Sequence, residues 1–239
     1  MSVFVLVHGS WHAAWCWHKI VPRLQQAGHT AIALDLPGHG RNSTALHQIT
    51  LHDYAEAIGA VLQAQSEPVV LVGHSRGGIA ISQAAECWPE KISKLVYLAA
   101  FLVPPGESVL ALAQRDSDSL VAANLEVNRD EGWDWLRPGV WREVLYADCA
   151  DDDLALAHTL LTPEPLAPSA TPMQLSDANF GRVARAYIEL LQDRAVSPAL
   201  QRAMYAALPC QQVLAMNTSH SAYFSAPDAL TANLIALAR

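Results

Sequence analysis

VVLVGHSRGG, residues 69–78, is the stretch that decides the fold of this chain. Its first four residues form a continuous aliphatic run, the pattern of a strand buried on both faces. Gly73-His74-Ser75-Arg76-Gly77 follows directly and leads into Ile79–Cys87, whose apolar spacing predicts a helix. A strand that turns sharply into a helix at a G-x-S-x-G pattern holds its central serine in a strained conformation and exposes the hydroxyl. Glycines flank that serine because side chains there would collide with neighbouring backbone. The helix start adds oriented N–H groups that favour developing negative charge. The motif alone is short. Its place between strand and helix makes Ser75 the expected nucleophile.

Outward from this turn, short apolar runs alternate with amphipathic segments. Val3–Val7, Thr30–Leu34, Val69–Val72 and Leu95–Leu98 read as strands, and Trp17–Gln26, Leu51–Gln65 and Ile79–Cys87 as helices. Strand and helix in this rhythm predict βαβ units and a parallel sheet. The rhythm stops near Pro104. From about 105 to 181 the chain carries helical patterns without an obvious strand, and includes Trp133, Trp135 and Trp141. It resumes with Ala186–Leu190 and Gln212–Met216 and closes on a helix over Pro227–Leu237. The expected architecture is therefore α/β: one domain over 1–239, with a helical cap inserted at about 105–181.

Composition narrows the function. The 239 residues are 51% hydrophobic and 16% charged, which supplies a large core and excludes a disordered chain. A net charge of −8 without a Lys/Arg-rich run argues against a nucleic-acid partner. Apolar stretches are interrupted well short of a membrane span. Residues 1–7 enter a core strand with no secretory pattern before it, and Cys16, Cys87, Cys149 and Cys210 are widely scattered. Reduced thiols in a cytoplasmic protein are the expectation.

A serine hydroxyl needs a base, and in a strand–elbow–helix hydrolase the partners follow in the order Ser, Asp or Glu, His. Only His158 and His220 come after Ser75. His158 lies in a helical pattern of the insert. His220 lies in the polar loop after the last predicted strand, where a base is required. Asp193, after the Ala186–Leu190 strand, is the expected acid, holding the imidazole tautomer. The expected oxyanion donors are the backbone N–H groups of Arg76 and of Ser10, in the loop after the first strand. Gly9 would let that loop approach the substrate closely. His12 and Trp133 are further candidate substrate contacts, although tryptophans at such spacing more often build core. His8 and His12 lack a third ligand, so no metal is assigned, and the chemistry requires no cofactor.

The chain resembles the plant methyl esterase and hydroxynitrile lyase family of the α/β-hydrolase fold, which includes salicylate methyl esterases and related bacterial esterases. The resemblance rests on residues 4–24 (FVLVHGSWHAAWCWHKIVPRL), 28–36, 69–78, 95–104, 145–161 (LYADCADDDLALAHTLL) and 192–201 before Ser219-His220. It implies Ser75, Asp193 and His220 as triad, Ser10 and Arg76 as backbone donors, a small-molecule ester as substrate, and a possible homodimer. Lyases of this family carry threonine after the first histidine and lysine after the catalytic one. Here those positions are Gly9 and Ser221. Without that cation a departing cyanide loses its support, so an esterase fits better than a lyase. Lactones, thioesters or amides as substrates, and a non-catalytic receptor on the same fold, are the other readings. Arg76 departs from the apolar residue usual in the esterases; its side chain either pairs with an acid beside the helix start or contacts substrate.

Overall fold

The computed structural model describes residues 1–238. β1 (Val3–Val7), α1 (Ile20–Gln26), β2 (Thr30–Leu34), α2 (Leu51–Gln63), β3 (Val69–His74), α3 (Gly77–Cys87) and β4 (Ile92–Leu98) make up the first half. The segment that follows holds α4 (Val109–Ala113), β5 (Leu125–Asn128), β6 (Trp133–Leu136), α5 (Trp141–Leu145), α6 (Asp151–Leu160), β7 (Glu164–Pro165) and α7 (Leu166–Ala170). The chain then returns through β8 (Arg185–Leu190), α8 (Pro198–Ala207), β9 (Gln212–Met216), α9 (Ala222–Ser225) and α10 (Pro227–Leu237).

Among the described residues the main sheet has six strands in the order β2-β1-β3-β4-β8-β9, paired in parallel throughout. Alternation along each strand divides its apolar side chains between two cores. Val5, Val7 and Leu71 face α2 and α3, together with Ile58, Leu62 and Ala84. Phe4, Leu6, Val70 and Val72 face α1 and α10, together with Ile20, Leu24 and Leu234. Burial on both faces is why these strands read as unbroken apolar runs. The chain steps from β1 to one side and then to the other, so the carboxyl ends of β1 and β3 border a topological switch point, the usual place for a ligand crevice.

The segment between β4 and β8 contains the helices that its patterning predicts, and also an antiparallel sheet β5-β6-β7 that the patterning does not reveal. Trp133-Asp134-Trp135-Leu136 alternates half-buried and buried positions, a period of two that four residues express too briefly to recognise. Trp135 and Trp141 pack edge to face at 5.2 Å, and Trp141 packs against His158 at 4.7 Å. These rings build the insert itself. The first helix also starts later than its sequence pattern, because Ala14–Trp17 forms a separate 3₁₀ turn.

The elbow depends on close packing of α3 against β1. A Cβ on Gly77 would stand 2.5 Å from the carbonyl oxygen of His8 and 3.1 Å from that of Val7, both backbone atoms that cannot step aside. Gly77→Ala is expected to cost about 1–3 kcal/mol, lowering Tm by roughly 2–12 °C for a chain of this size. An unchanged melting curve would contradict this packing.

Candidate active site

Ser75 has φ +53°, a region that L-residues rarely adopt. Its backbone is fixed on both sides: its N–H donates to Leu98 O (3.2 Å), and its carbonyl accepts from Gly78 N–H (3.1 Å) and Phe101 N–H (2.9 Å). Among the described residues the other non-glycine positive φ values belong to Trp11 (+64°) and Ala99 (+41°). All three lie just beyond the carboxyl ends of β1, β3 and β4, so backbone strain is concentrated around one place. A Cβ on Gly9 would stand 2.6 Å from the Cβ of Ser75. Only glycine lets the β1 loop lie against the elbow.

His220 Nδ1 lies 2.7 Å from Asp193 Oδ2, both side chains buried. With Nδ1–H donating to the carboxylate, Nε2 is the ring's acceptor. Asp193 is held in turn: Oδ1 accepts the N–H groups of Ala195 (2.7 Å) and Val196 (3.0 Å). Gln201, on α8, reaches Oδ2 at 3.5 Å and bonds the backbone of Leu190 and Val196 around it. The His220 loop is fixed by Asp148, which accepts from the N–H of Ser219 at 2.8 Å and from its hydroxyl. His74, inside the serine motif, donates Nε2–H to His220 O (2.9 Å), with the two rings 4.4 Å apart. The residue before Ser75 thus holds the loop that carries the candidate base.

Ser75 and His220 share the wall of a cavity of about 370 Å³. Ser10, Trp11, Arg76 and Asp134 also line it, with Phe101, Val109, Val121, Leu125, Leu166 and Val196 supplying apolar surface from both the main fold and the insert. Among the described residues no hydrogen bond occupies the backbone N–H of Ser10 or Arg76. Gly9, His12 and Trp133 do not line this cavity. Gly9 is packed against Ser75, as above. His12 is buried behind the loop, donating Nδ1–H to Ser10 O (2.7 Å) and accepting at Nε2 from Tyr146 and Tyr223 hydroxyls (2.6 and 3.1 Å). Trp133 turns outward, its indole donating to Glu131 (2.7 Å). His8 donates Nδ1–H to Gly9 O (2.8 Å) and accepts from Leu36 N–H (3.1 Å). These two histidines hold the β1 loop through its backbone.

The Arg76 side chain pairs with acids of the insert. Its Nη2 is 2.9 Å from Glu164 Oε1 and its Nη1 3.6 Å from Asp134 Oδ2. Nη1 also donates to Pro165 O (3.3 Å) and to the Ser169 hydroxyl. Burial pushes the Asp134 carboxyl up, against the pull of Arg76 and of the Trp11 indole. No motif announces Asp134, Glu164, Asp148 or Gln201 in the sequence. The one available signal is Arg76 itself, an arginine at the start of a helix that needs a buried partner.

Burial pushes His8 and His74 well below the ordinary imidazole value, and His12 down to about 3. The unfolded chain takes up these protons near pH 6.5, while the folded chain does not. Stability from these neutral rings is therefore complete above about pH 6.5 and falls as pH drops toward 3, by up to about 1.4 kcal/mol per pH unit for each ring. The urea midpoint is expected to fall between pH 7 and pH 5. A midpoint that holds or rises over that interval would mean that the buried rings are charged.

Residues 4–233 match the profile of the alpha/beta hydrolase family. Putative methylesterase 11, chloroplastic, of Arabidopsis thaliana is 36% identical over 99% of this chain, which spans 64% of that protein's length. Methylesterase 7 of the same plant is 33% identical, with 98% of this chain and 95% of the relative covered. The crystal structure of polyneuridine aldehyde esterase superposes with a TM-score of 0.90 at 29% identity, covering 100% of both chains. With the parallel sheet, the elbow at Ser75 and these likenesses together, the chain belongs to the alpha/beta hydrolase family.

Proposed function

We propose that this protein hydrolyses small carboxylic esters through an acyl-enzyme on Ser75. The observation that carries the reading is the buried His220–Asp193 pair opening onto the cavity where Ser75 stands at positive φ. His220 Nε2 takes the Ser75 proton as Oγ attacks the ester carbonyl. The backbone N–H groups of Ser10 and Arg76 receive the oxyanion, where preorganised donors act most strongly. The alcohol leaves with the proton from His220, and water then repeats the sequence on the acyl group. Asp193 fixes the imidazole tautomer and stabilises the imidazolium.

The lining favours alkyl or aryl groups on the ester, since most of it is apolar side chain. The relatives named methylesterases and the esterase structure support a carboxylic ester over other acyl compounds. Ser221, where a lyase would carry lysine, is buried and donates its hydroxyl to Tyr223 (3.1 Å), which leaves no cation beside His220 at that position. The cysteines are unpaired among the described residues, which supports a reducing compartment and a cytoplasmic location, although several relatives are named chloroplastic. Among the described residues no helix is long and apolar enough to cross a membrane.

Stopped-flow hydrolysis of p-nitrophenyl acetate to octanoate is expected to show a p-nitrophenol burst stoichiometric with enzyme. Ser75→Ala and His220→Ala should each lose the burst and lower turnover on the order of 10⁴-fold or more. Retained turnover in a folded Ser75→Ala protein would overturn the assignment. Trp133→Ala, outside the cavity wall, should leave kcat/KM within about twofold; a larger loss would place that ring against the substrate.

A further inference from the structure

We propose that Asp134 and Glu164, the paired carboxylates of the insert, are positioning residues that set the geometry of the oxyanion hole. This rests on the hydrolase reading above. The two residues are register partners in the antiparallel pair β6–β7, and they are only 5% and 2% exposed. Burying two carboxyl groups opposite each other in a ladder costs desolvation and, where both are ionised, repulsion, so the pair is kept only with Arg76 and other donors around it. An arrangement that needs this many partners points to a role beyond filling the core.

What the two carboxylates hold indicates that role. Glu164 Oε2 accepts the backbone N–H of Trp11 (2.7 Å), and Asp134 Oδ1 accepts its indole N–H (2.9 Å). Trp11 is the strained residue at φ +64°, directly following Ser10. The same two acids take the two ends of the Arg76 guanidinium. Ser10 and Arg76 are the residues whose N–H groups would receive the oxyanion. One pair of carboxylates therefore fixes both, from an element far away in sequence. Glu164 is itself anchored to the main fold, accepting from the Tyr54 hydroxyl (2.7 Å) and lying 2.9 Å from His39 Nε2. Asp134 and Glu164 touch no reacting atom in the proposed mechanism. They act through the backbone and indole of Trp11 and the side chain of Arg76, so that the packing of the insert and the placement of the oxyanion donors depend on the same contacts.

The role separates from simple support of the fold when the ground state and the oxyanion are probed apart. An alkyl trifluoromethyl ketone accepts Ser75 Oγ at its carbonyl carbon; the carbonyl oxygen becomes the oxyanion and the serine proton passes to His220. The corresponding carbinol fills the same space and forms no oxyanion. In Glu164→Gln, kcat/KM for p-nitrophenyl butyrate and affinity for the ketone should fall together by roughly 10–100-fold, while affinity for the carbinol stays within about twofold. Asp134→Asn, which keeps an oxygen for the indole but lines the cavity, should lower ketone affinity more than carbinol affinity, by a smaller factor, and serves if Glu164→Gln folds poorly. Variants that bind the ketone and turn over ester like the wild type, or that lose carbinol and ketone affinity equally, would overturn the positioning role. Wild-type protein that binds the ketone no more tightly than the carbinol would instead sink the hydrolase reading, and this proposal with it.

Discussion

A serine held at φ +53° between two layers of backbone is the constraint on which the rest of this structure depends. The hydroxyl is presented to the cavity only because β3 ends abruptly and α3 begins at once, which requires α3 to sit against the carbonyls ending β1. That contact requires glycine at position 77, and the approach of the β1 loop requires it at position 9. The strain, about 1–3 kcal/mol for such a conformation, is offset by backbone bonds from Ser75 to Leu98, Gly78 and Phe101. The parallel sheet, buried on both faces, is the rigid frame that keeps those partners in place.

Polar groups around the elbow extend this logic into the interior. His8, His12 and His74 are neutral rings used as hydrogen-bonding struts, each joining backbone of one loop to another part of the fold. Asp193 is buried, and two backbone N–H groups and Gln201 hold its carboxylate beside His220. Arg76, Asp134 and Glu164 are buried together, which is tolerable because the guanidinium lies within ion-pair distance of both acids and further donors reach each of them. Such sites cost stability and gain definition. The same interactions tie the insert to the loops that would bind the oxyanion.

The main sheet was legible in the sequence because Val3–Val7 and Val69–Val72 are unbroken apolar runs, which a strand covered on both faces tolerates, and the neighbouring strands follow in βαβ rhythm. Ser75, Asp193 and His220 could be placed by chain order and by the loops they occupy, since the fold brings successive carboxyl ends together. The small sheet of the insert was not legible. Its longest strands have four residues, β7 has two, and Trp133 and Trp135 resemble helix or core positions as readily as strand. Trp133 therefore looked like a pocket residue although its indole turns outward to Glu131. Glu164 was invisible for a different reason: it meets Trp11 across a separation of 153 residues, and no local pattern encodes a contact of that range. Arg76 posed the question of a buried partner, and only the tertiary structure answers it.

The most direct test of the central claim is covalent labelling with a fluorophosphonate, followed by intact mass measurement and peptide mapping. The account predicts one phosphonyl group per chain, located on Ser75 in the peptide containing Gly73-His74-Ser75-Arg76, and none after His220→Ala under the same conditions. Labelling at another residue, or no labelling of folded wild-type protein, would contradict it.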